Sequence, residues 1–236
     1  MISIRAFRAI DDIDSCKSFA EGHANVLRDY GVSKVTSSSN DWFYNPSAYV
    51  MIAENTETGE TVGGIRIHIA DGVTRLPMED AISIVDKRVY DLIAKYIPIG
   101  TGELCGLWNA KSVAGYGLGS YFLMRVGISV TQQLKLPTLF ALCAPHTLQI
   151  SVEKGFEKET SIGNEGTFIY PKLDLVATSI IIKDTLHLPN AQQEEKRLIF
   201  ELRDNPNIKR TEHGPKGSLD MVYHLDFSAN KKSVGV

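Results

Sequence analysis

Three glycines at alternate positions, Gly115, Gly117 and Gly119, form the most informative candidate binding motif in this sequence. They lie between a predicted strand at 103–109 and a predicted helix at 120–135. Glycine reaches positive φ and lets backbone N–H groups approach an anion closely. The start of a helix adds unpaired donors and a partial positive charge. The loop therefore predicts a phosphate or diphosphate site, although a plain tight turn could show the same spacing.

Two common nucleotide-binding motifs do not fit this loop. A P-loop requires Gly-Lys-Ser/Thr, whereas Gly119 is followed by Ser120 and Tyr121. A dinucleotide fingerprint requires glycine at the position of Ser120 and an acidic residue about twenty positions further on. The next predicted strand, 138–143, ends without a carboxylate. The loop must therefore be interpreted from its own sequence.

The rest of the chain alternates between strand and helix patterns around this unit. Hydrophobic spacing and turn residues predict helices over 12–30, 79–96, 145–155 and 192–203, a hairpin within 48–70, and strands at 167–170 and 175–182. Alternation in residues 2–7 predicts an edge strand, and the last thirty residues are expected to form a loosely organised tail. This order indicates a mixed α/β fold.

Composition excludes several classes of protein. The 236 residues include 25 Lys and Arg against 28 Asp and Glu, giving a net charge of −3, which argues against a dedicated nucleic-acid binder. Three separated cysteines cannot form a disulfide framework, and we expect no metal site. The N-terminal residues carry no apolar leader, and no apolar run approaches the ~20 residues of a membrane span. We therefore expect a cytoplasmic protein.

The loop Ala114-Gly115-Tyr116-Gly117-Leu118-Gly119 resembles the acetyl-coenzyme A loop of the GCN5-related N-acetyltransferase (GNAT) superfamily. That signature, Arg/Gln-Gly-x-Gly-x-Gly/Ala, is matched at every glycine. The 138–143 strand and the helix ending Glu153-Lys154-Gly155-Phe156 are also similar to the family, and the resemblance covers about 48–182. Three positions depart from the pattern: Ala114 replaces a basic or amide residue, Ala144 replaces a frequent asparagine, and Ser151 replaces a frequent tyrosine.

A weaker resemblance concerns the acyl-homoserine-lactone and N-acyl amino acid synthase branch. It rests on the strand Gly63–Arg66, on the long insert 71–100, and on Glu103 followed by Gly106-Leu107. Gly106 stands where that branch tends to carry arginine. The substrate of that branch is therefore not transferred to this chain.

The resemblance implies a fold and an activity. The expected fold is a central mixed, mostly antiparallel sheet flanked by helices, in an acyltransferase domain at 1–182 with a helical C-terminal extension and tail at 183–236. The expected activity is N-acyl transfer from acetyl-CoA, or another acyl-CoA, to a small amine or amino-acid-like acceptor, with a homodimer possible. Two alternatives stay open: a catalytically silent CoA- or acyl-binding sensor, and an acyl-carrier-protein-dependent N-acyl amino acid synthase.

The resemblance also implies roles for individual residues. Glu103 is the candidate base, or else a carboxylate in a surface ion pair. His146 could protonate the thiolate in place of the missing tyrosine, as could Tyr116 or Tyr121, although a helix-capping or surface histidine shows the same pattern.

Arg66 could bind a substrate carboxylate or pair with a neighbouring acid, and Trp42 belongs to the pocket wall or to the core. The resemblance further implies a bulge in the 103–109 strand that aims a backbone N–H at the acyl carbonyl, and the candidates are Leu107, Trp108 and Asn109. The expected diphosphate contacts are Val113, Ala114, Gly115, Tyr116, Gly117, Leu118, Gly119, Ser120 and Tyr121.

Overall fold

Ten strands and six α-helices make up the fold in a computed structural model, which describes residues 1–29, 31, 40–170 and 175–227. In chain order they are β1 (Ile2–Arg8), α1 (Ile13–Asp29), β2 (Ala48–Asn55), β3 (Thr61–Ile69), α2 (Pro77–Ile82), α3 (Arg88–Tyr96), β4 (Gly102–Asn109), α4 (Met124–Ser129), β5 (Leu139–Cys143), α5 (Pro145–Glu153), β6 (Glu157–Lys158), β7 (Thr167–Ile169), β8 (Val176–Ile182), α6 (Gln193–Asp204), β9 (Lys209–Gly214) and β10 (Gly217–His224).

All ten strands belong to one sheet, in the order β6-β8-β5-β4-β3-β2-β1-β10-β9, with β7 paired to β8. Only the β1–β10 and β4–β5 pairs are parallel; the other pairs are antiparallel. The expected mixed, mostly antiparallel sheet is therefore confirmed. The predicted hairpin within 48–70 is confirmed as β2 and β3.

Helices cover both faces of the sheet. Along β2, Val50 and Ile52 face a cluster built with α1, whereas Met51 and Ala53 face a cluster built with α4 and α6. Because both faces are covered, β2 is an almost continuous apolar strand without clear alternation. No helix within the described ranges is long and apolar enough to cross a membrane.

The prediction that β1 is an edge strand is wrong. It lies between β2 and β10, pairing with β10 from Ile2 to Arg5. The alternation of buried and half-buried residues in β1 reflects unequal cover of its two faces. This alternation carries no information about which strands are hydrogen-bonded to β1. Its parallel partner β10 lies more than two hundred residues away in the chain.

The prediction of a loosely organised tail is also wrong as far as residue 227, since β9 and β10 form a hairpin. In β10, Leu219, Met221 and Tyr223 face inward in alternation. In β9 the inward positions are charged, Arg210 and Glu212, so the segment has the pattern of a polar loop. Residues 228–236 of the predicted tail lie outside the described residues.

Two predicted helices are interrupted. The 79–96 segment forms α2 and α3 because Asp86 accepts the N–H groups of Arg88 and Gly163, at 3.0 and 2.7 Å, and fixes a turn between them. The 120–135 segment instead begins as a π-helical turn, Leu118–Leu123, that runs into the short α4. The helices over 12–30, 145–155 and 192–203 are confirmed with small shifts of their ends.

Close packing of α1 on the sheet requires glycine at Gly22. A Cβ built there would overlap the indole ring of Trp108, which is buried and stands perpendicular to Phe19 at 6.0 Å between ring centroids. We expect Gly22→Ala to lower the free energy of unfolding by roughly 1–2 kcal/mol, because overpacking outweighs alanine's helix propensity of about 1 kcal/mol. Chemical denaturation measures this change. Ser18 is exposed on the same helix, so the control Ser18→Ala should change the free energy of unfolding by less than about 0.5 kcal/mol. A Gly22→Ala protein more stable than wild type would contradict the packing argument.

Candidate functional site

The neighbouring parallel strands β4 and β5 pair at only two positions and then separate. The pairs are Glu103 with Phe140 and Leu104 with Ala141. Two residues later, Gly106 has φ 63°, and the pairing of β4 with β3 shifts by one residue in this stretch. The expected bulge in β4 is therefore present at Gly106, and β4 turns away from β5 beyond it.

The separation of the two strands leaves a cavity of about 340 Å³. Its walls come from β4, β5, α5 and one face of α1, and they are apolar apart from a few polar groups. The residues most relevant to chemistry are Glu103, Cys105, Leu107, Cys143, His146 and Ser151. A small number of polar groups in an apolar cleft is typical of a small-molecule site.

Glu103 is the acidic group of this cavity. It is 2% exposed, and its Oε2 accepts the backbone N–H of Met78 at 2.7 Å. Burial raises the pKa of Glu103 to about 8, although the Met78 N–H and the positive charge of Arg66 act in the opposite direction. The 71–100 insert thus supplies a hydrogen bond to the candidate base, and a surface ion pair does not describe its setting.

Arg66 lies on β3, diagonally across from Glu103 of β4, and is 1% exposed. Its guanidinium carbon is 4.1 Å from the centroid of the Trp42 ring and 5.3 Å from that of Phe19. A Cβ at Gly106 would lie 3.0 Å from Arg66 Nε, so the small residue at the bulge makes room for the guanidinium.

A second cavity, also about 340 Å³, lies between α1 and the short helical turn Asp41–Tyr44. Arg66 and Trp42 both border it, so the structure brings together the two residues predicted to contact substrate. Trp42 is 7% exposed and packs edge-on against Phe43 at 4.5 Å between centroids. It is therefore both a core residue and part of a cavity wall.

His23 of α1 was not predicted as a site residue. It borders both cavities, as does Leu27. Burial and the charge of Arg66 lower the pKa of His23 to about 4, which keeps the imidazole neutral near neutral pH. The signal in the sequence was its spacing of four residues from Phe19, which placed it on the buried face of a helix but not beside a cavity.

The glycine loop continues from the far end of β4. Gly117 has φ 87°, and its carbonyl accepts the N–H groups of both Tyr121 and Phe122 at 3.1 Å, which produces the π-helical turn. Across the described residues, the N–H groups of Leu118, Gly119 and Ser120 have no hydrogen-bond acceptor. Three adjacent free donors fit an anion such as a diphosphate.

The glycine at 119 is also required by its surroundings. A Cβ there would collide with Oδ1 of Asn109, so a side chain would move the turn away from β4. Asn109 is fixed in part by a hydrogen bond from its Nδ2 to the carbonyl of Ala110 at 3.1 Å. The turn thus lies directly against the end of the bulged strand.

The remaining predicted residues lie in different settings. His146 is exposed at the start of α5 and borders the first cavity, and Leu107 borders it from β4. Ser151 is buried, and its hydroxyl donates to the carbonyl of Thr147 at 2.9 Å. The Trp108 side chain packs against α1 and does not line this cavity.

The loop side chains also differ in their surroundings. Val113 and Leu118 are buried, whereas Ala114, Tyr116, Ser120 and Tyr121 are half-buried. In the part of the chain that the structure describes, no three His, Cys, Asp or Glu residues are grouped to hold a metal ion.

Comparison with solved structures identifies this architecture. The chain is similar to FeeM, an N-acyl amino acid synthase from uncultured soil microbes, with TM-score 0.61 and 15% identity over 80% of this chain and 98% of that one. It is also similar to an acyl-CoA N-acyltransferase from Pseudomonas aeruginosa, with TM-score 0.55 and 10% identity over 77% of this chain and 99% of that one. For the CoA-dependent acyl-homoserine lactone synthase MesI, the TM-score is 0.53 and the identity 14%, over 85% of this chain and 95% of that one. The sequence matches no protein-family model and no curated protein.

These similarities confirm the expected GNAT-like fold and the resemblance to the synthase branch. Identities of 10–15% establish a shared fold alone. The activity has to be argued from the residues of the site.

Burial of Glu103 predicts a pH-dependent difference between the wild type and Glu103→Gln. A carboxyl whose folded pKa is about 8 and whose ordinary value is 4.5 loses its contribution to stability as pH rises from about 4.5 to 8. Glutamine keeps an oxygen for the Met78 N–H and does not titrate. The free energy of unfolding of Glu103→Gln, relative to that of wild type, should therefore rise by about 3–5 kcal/mol between pH 5 and pH 9.

Urea unfolding at a series of pH values measures this gain. Glu60→Gln, which removes an exposed carboxyl in the turn of the β2–β3 hairpin, is the matched control. A pH-independent difference between Glu103→Gln and wild type would contradict a raised pKa of Glu103 in the folded protein.

Proposed function

We propose that the protein is an N-acyltransferase that moves an acyl group from coenzyme A to the amine of a small, carboxylate-bearing acceptor. One observation carries the proposal: a buried carboxyl at the start of β4, an apolar cavity beside it, and free backbone donors beyond the end of the same strand. The shared fold supports the same class of reaction.

The donor side is formed by β4 and the turn that follows it. The free N–H groups of Leu118, Gly119 and Ser120 would hold the diphosphate of coenzyme A, which supplies the acyl group as an activated thioester. Beyond the bulge, Leu107 borders the cavity, and its backbone N–H is our candidate donor to the acyl carbonyl. Donors fixed in advance at this position stabilise negative charge as it develops.

Glu103 is proposed to remove the proton from the acceptor amine. Its pKa of about 8 is close to that of a free α-amino group, ~7.7–8.0, so transfer of the proton between them is nearly balanced. A carboxylate with an ordinary pKa would be a weaker base. The apolar cavity that raises this pKa would also exclude water from the amine.

Arg66 and Trp42 are proposed to set the acceptor class. A guanidinium can form two parallel hydrogen bonds with a carboxylate, and Arg66 borders the second cavity with Trp42 as its wall. His23 and Leu27 border both cavities. An acceptor held by its carboxylate near Arg66 could thus extend its amine past α1 toward Glu103.

The thiolate that leaves coenzyme A requires a proton. Ser151 is buried and already donates to the Thr147 carbonyl, which limits it as an acid. His146, exposed at the rim of the first cavity, is our candidate for this step.

The depth of the first cavity favours a second candidate for the donor. Its inner wall is made by apolar residues of α4, β8 and the segment after α5: Met124, Ile180 and Phe156. An apolar wall of this kind suits an acyl group longer than acetyl, carried by coenzyme A or by an acyl-carrier protein.

The donor site predicts that Gly117→Val abolishes stabilisation by coenzyme A. Gly117 has φ 87°, and a Cβ would lie 3.0 Å from Phe122 Cζ and 3.4 Å from Gly214 Cα, so valine would distort the turn. At a coenzyme A concentration of 100 times Kd, the free energy of unfolding of wild type should increase by about 2.7 kcal/mol, which a thermal melt detects as a shift of Tm.

Gly59→Val is the control for this experiment. Gly59 also has positive φ, 73°, but nothing lies within 4 Å of its Cβ position, so it shares the backbone strain and should keep the ligand-induced shift. A Gly117→Val protein that retains the full shift would contradict binding at this turn.

Thiol release tests the reaction itself. We expect release from acyl-CoA with an amino acid and much less with the corresponding amine that lacks the carboxylate. The rate at limiting substrate should increase as pH rises through about 8. Glu103→Gln should lower kcat by about 100-fold or more and remove this pH dependence, whereas Glu60→Gln should not. Coenzyme A binding without release for any acyl length or acceptor would favour the silent sensor.

A further inference from the structure

The turn that joins β9 to β10 packs directly on the glycine loop. The backbone N–H of Lys216 donates to the carbonyl of Gly115 at 3.0 Å. A Cβ at Gly214 would collide with the carbonyl oxygen of Tyr116, so the two backbones touch there. The hairpin is held in this place by the parallel pairing of β10 with β1. A segment near the C-terminal end thus forms part of the wall around the loop.

The Lys216 side chain extends along the loop to its first residue. Its Cδ and Cε lie 2.5 Å from where a Cβ of Gly115 would stand, so Gly115 makes room for the lysine stem. Its Nζ donates to the carbonyl of Ala114 at 3.0 Å. The ammonium is therefore positioned at Ala114, the position where the glycine motif carries alanine in place of a basic or amide residue.

The charge of Lys216 is available for a ligand. Among the described residues, no carboxylate lies within ion-pair distance of its Nζ, and the residue is exposed. By contrast, Lys111, which precedes the loop, pairs with Asp29 at 3.0 Å. An ammonium has three donors, of which the Ala114 carbonyl uses one.

We propose that Lys216 binds the diphosphate of the acyl donor and supplies, from the C-terminal hairpin, the side-chain cation that the loop lacks at Ala114. This inference rests on the proposed function, since it assumes coenzyme A as the donor. Free backbone N–H groups provide hydrogen bonds but no net charge. A flexible lysine can provide a full positive charge to a phosphate oxygen.

Binding of coenzyme A to the full chain, measured by calorimetry, tests this role. Lys216→Met keeps an apolar stem over Gly115 and removes the charge, and Lys216→Arg restores a charge. Lys209→Met, exposed at the far end of β9, is the matched control. Lys216→Met should weaken coenzyme A binding by roughly tenfold or more and reduce its dependence on salt. Lys216→Arg should recover most of the affinity, and Lys209→Met should retain it.

Pantetheine, which lacks the diphosphate, separates a charge effect from a change in loop shape. Its affinity should be equal for wild type and Lys216→Met. Equal loss of coenzyme A and pantetheine binding would overturn the proposal, because Lys216 would then only support the loop. Unchanged coenzyme A binding in Lys216→Met would overturn it as well and leave the proposed function intact. Absence of coenzyme A binding by wild type would instead overturn the proposed function, and this inference with it.

Discussion

The site depends on the early separation of β4 and β5. Parallel strands normally continue their hydrogen-bonded ladder, and a continuous ladder would fill the space that the cavity occupies. Here the ladder ends after two pairs, and the extra residue at Gly106 turns β4 toward β3. Each proposed role follows from this geometry: Glu103 lies at one of the two paired positions, Leu107 lies beyond the bulge, and the glycine turn follows the strand after a short helical turn at Lys111–Val113. The carboxyl therefore lies on β4, and the proposed anion-binding donors lie in the turn that follows this strand.

A buried ion network fixes the helix that carries the glycine turn. Arg125 of α4 is 4% exposed, donates twice to Glu195 of α6 at 2.9 and 3.1 Å, and donates to Glu212 of β9 at 3.0 Å. Lys154, fully buried at the end of α5, lies 3.3 Å from Glu195. Removing one partner from such a network leaves an uncompensated buried charge, which costs roughly 3–5 kcal/mol. The C-terminal segment is therefore tied to the proposed donor site through charge as well as through the sheet.

Local patterns in the sequence predicted the parts of the fold that form locally. The β2–β3 hairpin, the strand that carries Glu103 and the glycine turn were found because spacing and turn residues specify them within a few positions. The place of β1 beside β10 and the inward charges of β9 depend on pairing across the whole chain. Lys216 did not stand out in the sequence for the same reason: the role proposed for this exposed lysine depends on its contact with Ala114.

In the proposed reaction, the positions of two buried groups favour an amino-acid-like acceptor over a simple amine. Arg66 of β3 pairs in register with Cys105 of β4, and Glu103 lies two residues along, so Arg66 and Glu103 are diagonal neighbours on one face. Burial raises the pKa of Glu103 and lowers the pKa of Arg66, because the charged form of each is poorly solvated there. A zwitterion offers a carboxylate to the guanidinium and an ammonium to the carboxyl. It would contact both groups at once, whereas an amine without a carboxylate would contact only Glu103.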